Sequence, residues 1–440
     1  MTFSAHYRSQ PEYSVLERVL RLGGDVQPGE GLKVLSLFFI LFMLMFTAYI
    51  LKPVREELIL VEQGSELKSY ATAFQALLLL FLLPAYGAFS RRFSSRRFMM
   101  AVMSFFILSF VLFLLASLAG LAIGLLFYIW LGAFGVLTIS QFWAYASDRL
   151  DEDSGKRLFG LIAFGASMGA MIGAMAAKAL PLELDSRIIL AAGAITLMLS
   201  QLPVLFAKSS QVKLNLDRPK QPTKLFNAFA LIRANRYLML IALFVLLFSW
   251  TNSLGEYLVS LLVEHNYDMA LESGSVELSK NAYIKQFYSN YFLAVNIGSA
   301  LLQFFVVSRF INAFGVKLSL VLVPLFIFIG YALVLFVGAL LLFKIIKIVE
   351  NSLDYSLMNT VKQMLYIPTS RQERYEARAL IETLCVRGGD MLQGLTVFVG
   401  LNVLALHPKS FLYFIVVVAI VVIALALNIG NRYRQLHRPD

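Results

Sequence analysis

VLSLFFILFMLMFTAYILKPVREELIL, residues Val34–Leu60, decides how this chain must be read. No residue from Val34 to Leu51 is charged, and about 20 apolar residues in a helix cross the ~30 Å hydrocarbon core of a bilayer. The run then meets Lys52, Arg55, Glu56 and Glu57 around Pro53. Similar apolar runs recur along the rest of the chain. Hydrophobic residues make up 59% of the 440 and charged residues 15%, with a mean hydropathy of +0.74. An ordinary soluble domain carries about 25% charged residues, so the bilayer is the solvent here.

The apolar runs predict an all-α polytopic membrane protein of about twelve transmembrane helices. The expected spans are 34–54, 70–90, 98–118, 120–147, 158–180, 187–207, 234–262, 286–308, 316–334, 336–359, 378–404 and 410–430. The ninth and tenth are separated near Leu335 and Gly338 because Val316–Ile348 is too long for one helix. Loop lysines and arginines set the orientation. Arg91, Arg92, Arg96 and Arg97 form a wholly basic turn, and Lys208, Lys213, Arg218, Lys220, Lys224, Arg233 and Arg236 face one acid, Asp217. Both segments are expected at the cytoplasmic face of a bacterial inner membrane, with both chain ends. Residues 1–33 form an N-terminal tail, in which Tyr13–Leu22 reads either as a helix lying on the membrane surface or as unstructured chain.

Two six-helix halves are expected, 34–207 and 234–430, joined by a basic linker, 208–233, and followed by a tail, 431–440. GAFSRRFSSRRF (Gly87–Phe98) after the second span is echoed by SRFINAFGVK (Ser308–Lys317) after the eighth, and DRLDEDSGKRLFGLIAFGASMG (Asp148–Gly169) by SRQERYEARALIETLCVRGGD (Ser370–Asp390). Transporters built from such repeats hold substrate between them.

Ionisable groups inside spans are costly unless they meet a partner or a wet cavity. Lys52 and Arg55 offer cationic ligands to a carboxylate or phosphate, or are a helix end snorkelling to the interface. Glu256, with Asn252 and Gly255, takes the matching place in the seventh span as a gate or coupling carboxylate, or as an outer helix end. In KIIKIVENSLDYSLMNTVK (Lys344–Lys362), Lys347, Glu350, Asn351 and Asp354 recur at spacings of three and four, so one helix face collects them as a cavity wall or as buried ion pairs. Lys362 precedes Pro368, and Glu382, Arg387 and Asp390 fall in the eleventh span. The predicted substrate ligands are therefore Lys52, Arg55, Lys362 and Arg387, and the coupling or gating acids Glu256, Glu350, Asp354, Glu382 and Asp390.

Other chemistry finds no support. The net charge of +11 lies in loops that orient the spans, which argues against nucleic-acid binding. Cys385, the sole cysteine, gives no disulfide or cysteine metal site, and His6, His265, His407 and His437 are in tails and loops. Gly165, Gly169 and Gly173 read as close helix packing rather than a nucleotide loop. No catalytic spacing appears, and neither enzyme activity, cofactor nor metal is expected.

VQPGEGLKVLSLFFILF, AYILKPVREELIL, SQFWAYASD with GKRLFGLIAFGASMGA, and MLYIPTSRQERYEARALIETLCVRGGD together resemble the ATP/ADP translocase-type nucleotide transporters, a distant branch of the major facilitator superfamily, and more closely the free-living bacterial proteins grouped with them. The resemblance spans both halves. It implies a major facilitator fold with substrate between the halves, a substrate lysine at Lys362 and a basic ligand at Lys52 or Arg55. This sequence departs from that pattern in the fourth span, where Trp130 and Leu131 stand near the place of the family's glutamate.

The expected function is alternating-access secondary transport of a small organic anion, nucleotide or other phosphorylated metabolite included, across a lipid bilayer with a coupling proton or counter-substrate. The alternatives are export or flipping of an amphipathic or lipid-linked molecule, and a non-transporting receptor or scaffold.

Overall fold

The computed structural model describes residues 13–21, 25–90, 93–206, 225–337 and 340–436, and all regular structure among them is helical. The first six spans are Gly31–Glu62, Gly64–Ser90, Ser95–Leu118, Gly124–Ser147, Glu152–Ala179 and Ser186–Phe206. A helix at Leu225–Ala234 precedes the seventh span, Arg236–Glu272; the others are 280–314, 316–337, 340–364, 371–403 and Lys409–Leu436. The eighth and ninth are parted only at Gly315, whose φ of 74° is cheap for glycine alone. The tenth and eleventh contain π-helical turns at 354–358, 381–385 and 399–403.

Several spans outrun the apolar runs that reveal them. The first continues eleven residues past Leu51 to Glu62 and keeps Pro53 inside the helix, because neighbouring spans shelter its charged end. The last runs to Leu436, into the expected tail 431–440, of which 437–440 lie outside the described residues. Arg91, Arg92 and 208–224 of the basic linker lie outside the described residues. Within Tyr13–Leu22, Val15–Leu20 is a short helix, closed by a reciprocal cap between Ser14 and Glu17.

Tight packing begins with the glycines of the fifth span. A Cβ on Gly165, Gly169 or Gly173 would come within 2.7, 2.2 and 2.7 Å of the carbonyl oxygens of Phe38, Phe42 and Phe46. The first and fifth spans therefore lie backbone to backbone. Val34, Leu41, Phe106 and Phe134 anchor an apolar core in the first half. Phe244, Tyr288, Val323 and Ile415 belong to the core of the second. Large side chains such as Phe81, Phe304 and Phe336 point outward, as lipid-facing positions require. The second span packs on the eleventh and seventh, and the first and fifth on the eighth.

With twelve spans, the start of the first and seventh and the end of the sixth and last lie at one face, called the terminal face below. The polar contacts described between the halves sit toward the other. Ser65 N donates to Glu264 at 2.9 Å, Asn281 to Glu57 at 2.9 Å and Asn402 to Glu66 at 3.0 Å. Lys285 donates to the carbonyls of Leu182 and Leu184 at 3.3 and 2.7 Å and lies 3.6 Å from Glu57. The halves are latched at the face opposite the termini.

Candidate functional site

Below the latch is a cavity of about 450 Å³, walled by both halves. The first span supplies Tyr49, Lys52, Arg55 and Glu56, brought to one side by helical spacing. Ser65, Lys68, Ser69 and Thr72 of the second span and Tyr128 of the fourth complete that wall. Opposite stand Asn252, Ser253, Glu256 and Tyr257 of the seventh span, Phe292, Val295 and Asn296 of the eighth, and Asn351 and Tyr355 of the tenth. Arg387, Asp390 and Gln393 come from the eleventh.

Charge on the first wall is organised by Glu56. It accepts a hydrogen bond from the Arg55 guanidinium and lies 2.6 Å from Lys68 Nζ, with its side chain 2% exposed. Lys68 also donates to Ser260 Oγ across the interface at 2.6 Å. A carboxylate taken so far from water needs such partners. Lys52 differs. Its ammonium stands 3.7 Å from the Tyr49 ring centre and 5.4 Å from that of Phe292, with no carboxylate within 4 Å among the described residues.

The second wall carries its own network. Arg387 pairs with Asp390 at 3.2 Å, and Ser253 donates to Asp390 at 2.6 Å. Glu256 Oε1 accepts from Tyr291 at 3.0 Å and Asn351 at 2.7 Å and lies 3.5 Å from Lys347 Nζ. Lys347 is fully buried; it bonds Glu350 at 2.9 Å and the Asn252 side chain at 2.8 Å, and Tyr331 donates to Glu350 at 2.8 Å. Gly255 makes room for this crossing, since a Cβ there would meet Tyr331 Oη at 2.3 Å and Lys347 Nζ at 3.0 Å.

Five of the nine predicted ligands and coupling acids thus meet on the cavity walls: Lys52, Arg55, Glu256, Arg387 and Asp390. Glu350 lies behind the wall, in a buried pair with Lys347. Of the polar face collected on the tenth span, Asn351 alone lines the cavity and Lys347–Glu350 is a buried pair, while Tyr355 joins Asn351 on the wall without having been singled out. Lys362 and Asp354 are not on the wall; they pair with each other at 3.3 Å toward the terminal face, where Asn252 Nδ2 reaches Asp354 at 3.3 Å. Glu382 bonds Arg378 at 2.9 Å, also away from the cavity and partly exposed. At the fourth-span departure Trp130 packs on Phe105 and Phe106. Two residues earlier, the Tyr128 ring lies 4.6 Å from the Arg55 guanidinium. Lys68 and the cavity tyrosines escape a sequence reading, because Lys68 follows the end of the first apolar run and looks like loop. Among the described residues no cluster of histidine, cysteine and carboxylates has metal-holding geometry.

The sequence matches the family model described as Major Facilitator Superfamily over residues 37–361. No curated protein matches it. Among solved structures, a mutant of the nucleoside transporter NupG superposes with a TM-score of 0.65 at 13% identity, covering 92% of this chain and 100% of that one. The POT family transporter PepTSo gives 0.65 at 10% identity, covering 92% and 98%. The human organic anion transporter MFSD10 (TETRAN) gives 0.56 at 15%, covering 91% and 100%. At such identities these likenesses concern the fold. The family match, covering most of the chain, and the two six-helix halves that together wall the central cavity identify a multi-pass membrane protein that belongs to the Major Facilitator Superfamily.

Proposed function

We propose that this chain is an alternating-access secondary transporter that binds a small organic anion in the central cavity, with Lys52 as the principal cationic ligand. The observation that carries the reading is the state of the cations. Among the described residues, Arg55, Lys68 and Arg387 each have a carboxylate, whereas Lys52 has only aromatic rings. Four cations and three carboxylates line the space. That surplus suits an anion of low charge better than a nucleotide di- or triphosphate, and Lys362, the lysine that nucleotide exchange would call on, is paired outside the cavity with Asp354.

Sidedness follows the positive-inside rule. With the termini at the cytoplasmic face of an inner membrane, the latch at Glu57 and Lys285 closes the outer side and the cavity is reached from within. Transport requires that latch to open while the inner ends close, so that the two walls are presented alternately. Uptake and counterflow of labelled carboxylates and phosphate esters in proteoliposomes test the reading. Lys52→Ala is expected to lower uptake of the transported anion roughly tenfold or more, the worth of one charge-assisted contact. Absence of uptake for every anion tried, or uptake indifferent to Lys52→Ala, rejects it.

A further inference from the structure

We propose that the transported anion also carries an ammonium group, and that the second-half wall recognises this group through Glu256 and Asn351. The proposal rests on the anion-transport reading above and narrows it to an amphoteric substrate.

The two walls differ in sign. Lys52, Arg55 and Lys68 outnumber Glu56 on the first-half wall, while Glu256 and Asp390 outnumber Arg387 on the second. Lys347 and Glu350, behind the second wall, cancel one another at 2.9 Å. A space of low dielectric between poles of opposite sign orients a molecule that carries both charges and repels a plain anion from one of its sides.

The second pole offers acceptors that lack donors. Glu256 is 35% exposed, against 2% for Glu56 and 14% for Asp390, so it is the carboxylate most open to a ligand. Its described contacts all fall on Oε1, which leaves Oε2 for the cavity. Asn351 is 5% exposed, and its Oδ1 makes no hydrogen bond among the described residues. Its amide cannot turn round, because Nδ2 donates to Glu256, which only accepts. Beside them Tyr355 presents a ring that is half exposed within the cavity. A carboxylate oxygen, an unused amide oxygen and an aromatic face are what an ammonium with three donors can use together. An anion without an amine would leave Asn351 unpaired and meet Glu256 as a like charge.

Matched triads of probes decide the matter with the purified full-length protein. Each triad comprises a zwitterion, the same molecule without its amine, and the same molecule without its anionic group, built on aliphatic, aromatic and phosphorylated bodies. Phenylalanine, 3-phenylpropionate and phenethylamine make one triad. Calorimetric affinities are expected to favour the zwitterion of at least one triad about tenfold or more over both partners. Glu256→Gln is expected to abolish that preference and to tighten binding of the amine-free member, and Asn351→Ala to weaken the zwitterion alone. The wild-type ranking stands as a test even if a variant does not fold. An amine-free member that binds as well as its zwitterion in every triad overturns the inference and leaves anion transport intact. Silence from zwitterions and anions together, or tightest binding of the anion-free members, overturns both.

Discussion

Glu56 holds two cations, Arg55 and Lys68, on one buried carboxylate. Removing one member of a buried pair leaves an uncompensated charge and costs about 3–5 kcal/mol. Glu56→Ala is therefore expected to lower the thermal midpoint of the purified protein markedly. Lys52→Ala should leave that midpoint near the wild-type value, because Lys52 holds no carboxylate. Equal losses in the two variants would contradict this division of labour. The charged cluster after Leu51 was legible in the sequence because each group there is expensive in a membrane. Its inner arrangement was not, since nothing local says that Lys68 of the next span closes the pair or that Lys362 turns to Asp354.

Spans, rather than single residues, determine which charges meet. The glycines at four-residue spacing in the fifth span read from sequence as close packing, and Phe38, Phe42 and Phe46 are what they pack on. Gly169→Ala is expected to cost about 1–3 kcal/mol by overpacking. Gly160→Ala, where a Cβ meets nothing within 4 Å, should be tolerated, and comparison of expression and melting of the two variants checks it. The π turns of the tenth and eleventh spans, at 354–358, 381–385 and 399–403, had no sequence signal. At the N-terminus the Ser14 amide and hydroxyl and the amides of Gly29 and Gly31 hold the Glu17 carboxyl below its usual range. A depressed carboxyl stabilises above the unfolded value and loses that contribution as pH falls through the folded one. Hydrogen-exchange protection of residues 14–21 should accordingly fall on acidification below the ordinary glutamate range, and in Glu17→Gln be low throughout. Protection independent of pH in the wild type would contradict it.

At the scale of the whole molecule two halves are latched on one face around a cavity whose walls belong to both. The number of spans and the halves could be read from hydropathy and loop charge, because lipid imposes both on any sequence. The latch could not, since Lys285, Asn281 and Glu57 lie in what read as loops or loop edges and become partners only across the two halves of the fold. Lys285→Ala removes the cation that holds the Leu182 and Leu184 carbonyls and Glu57. In a Cys385→Ala background, a cysteine at Tyr355 is expected to react faster with an impermeant maleimide added at the face opposite the termini once Lys285 is replaced. An unchanged rate would mean that other contacts hold that face shut. The central claim, that an anion binds between the halves at Lys52, is tested most directly by thermal unfolding of wild type and Lys52→Ala against a panel of carboxylates and phosphate esters, because a ligand of the folded state raises its apparent stability. The account predicts an anion that raises the wild-type midpoint in proportion to the logarithm of its concentration and leaves Lys52→Ala unmoved; a wild-type protein indifferent to every anion, or a variant stabilised equally, would contradict it.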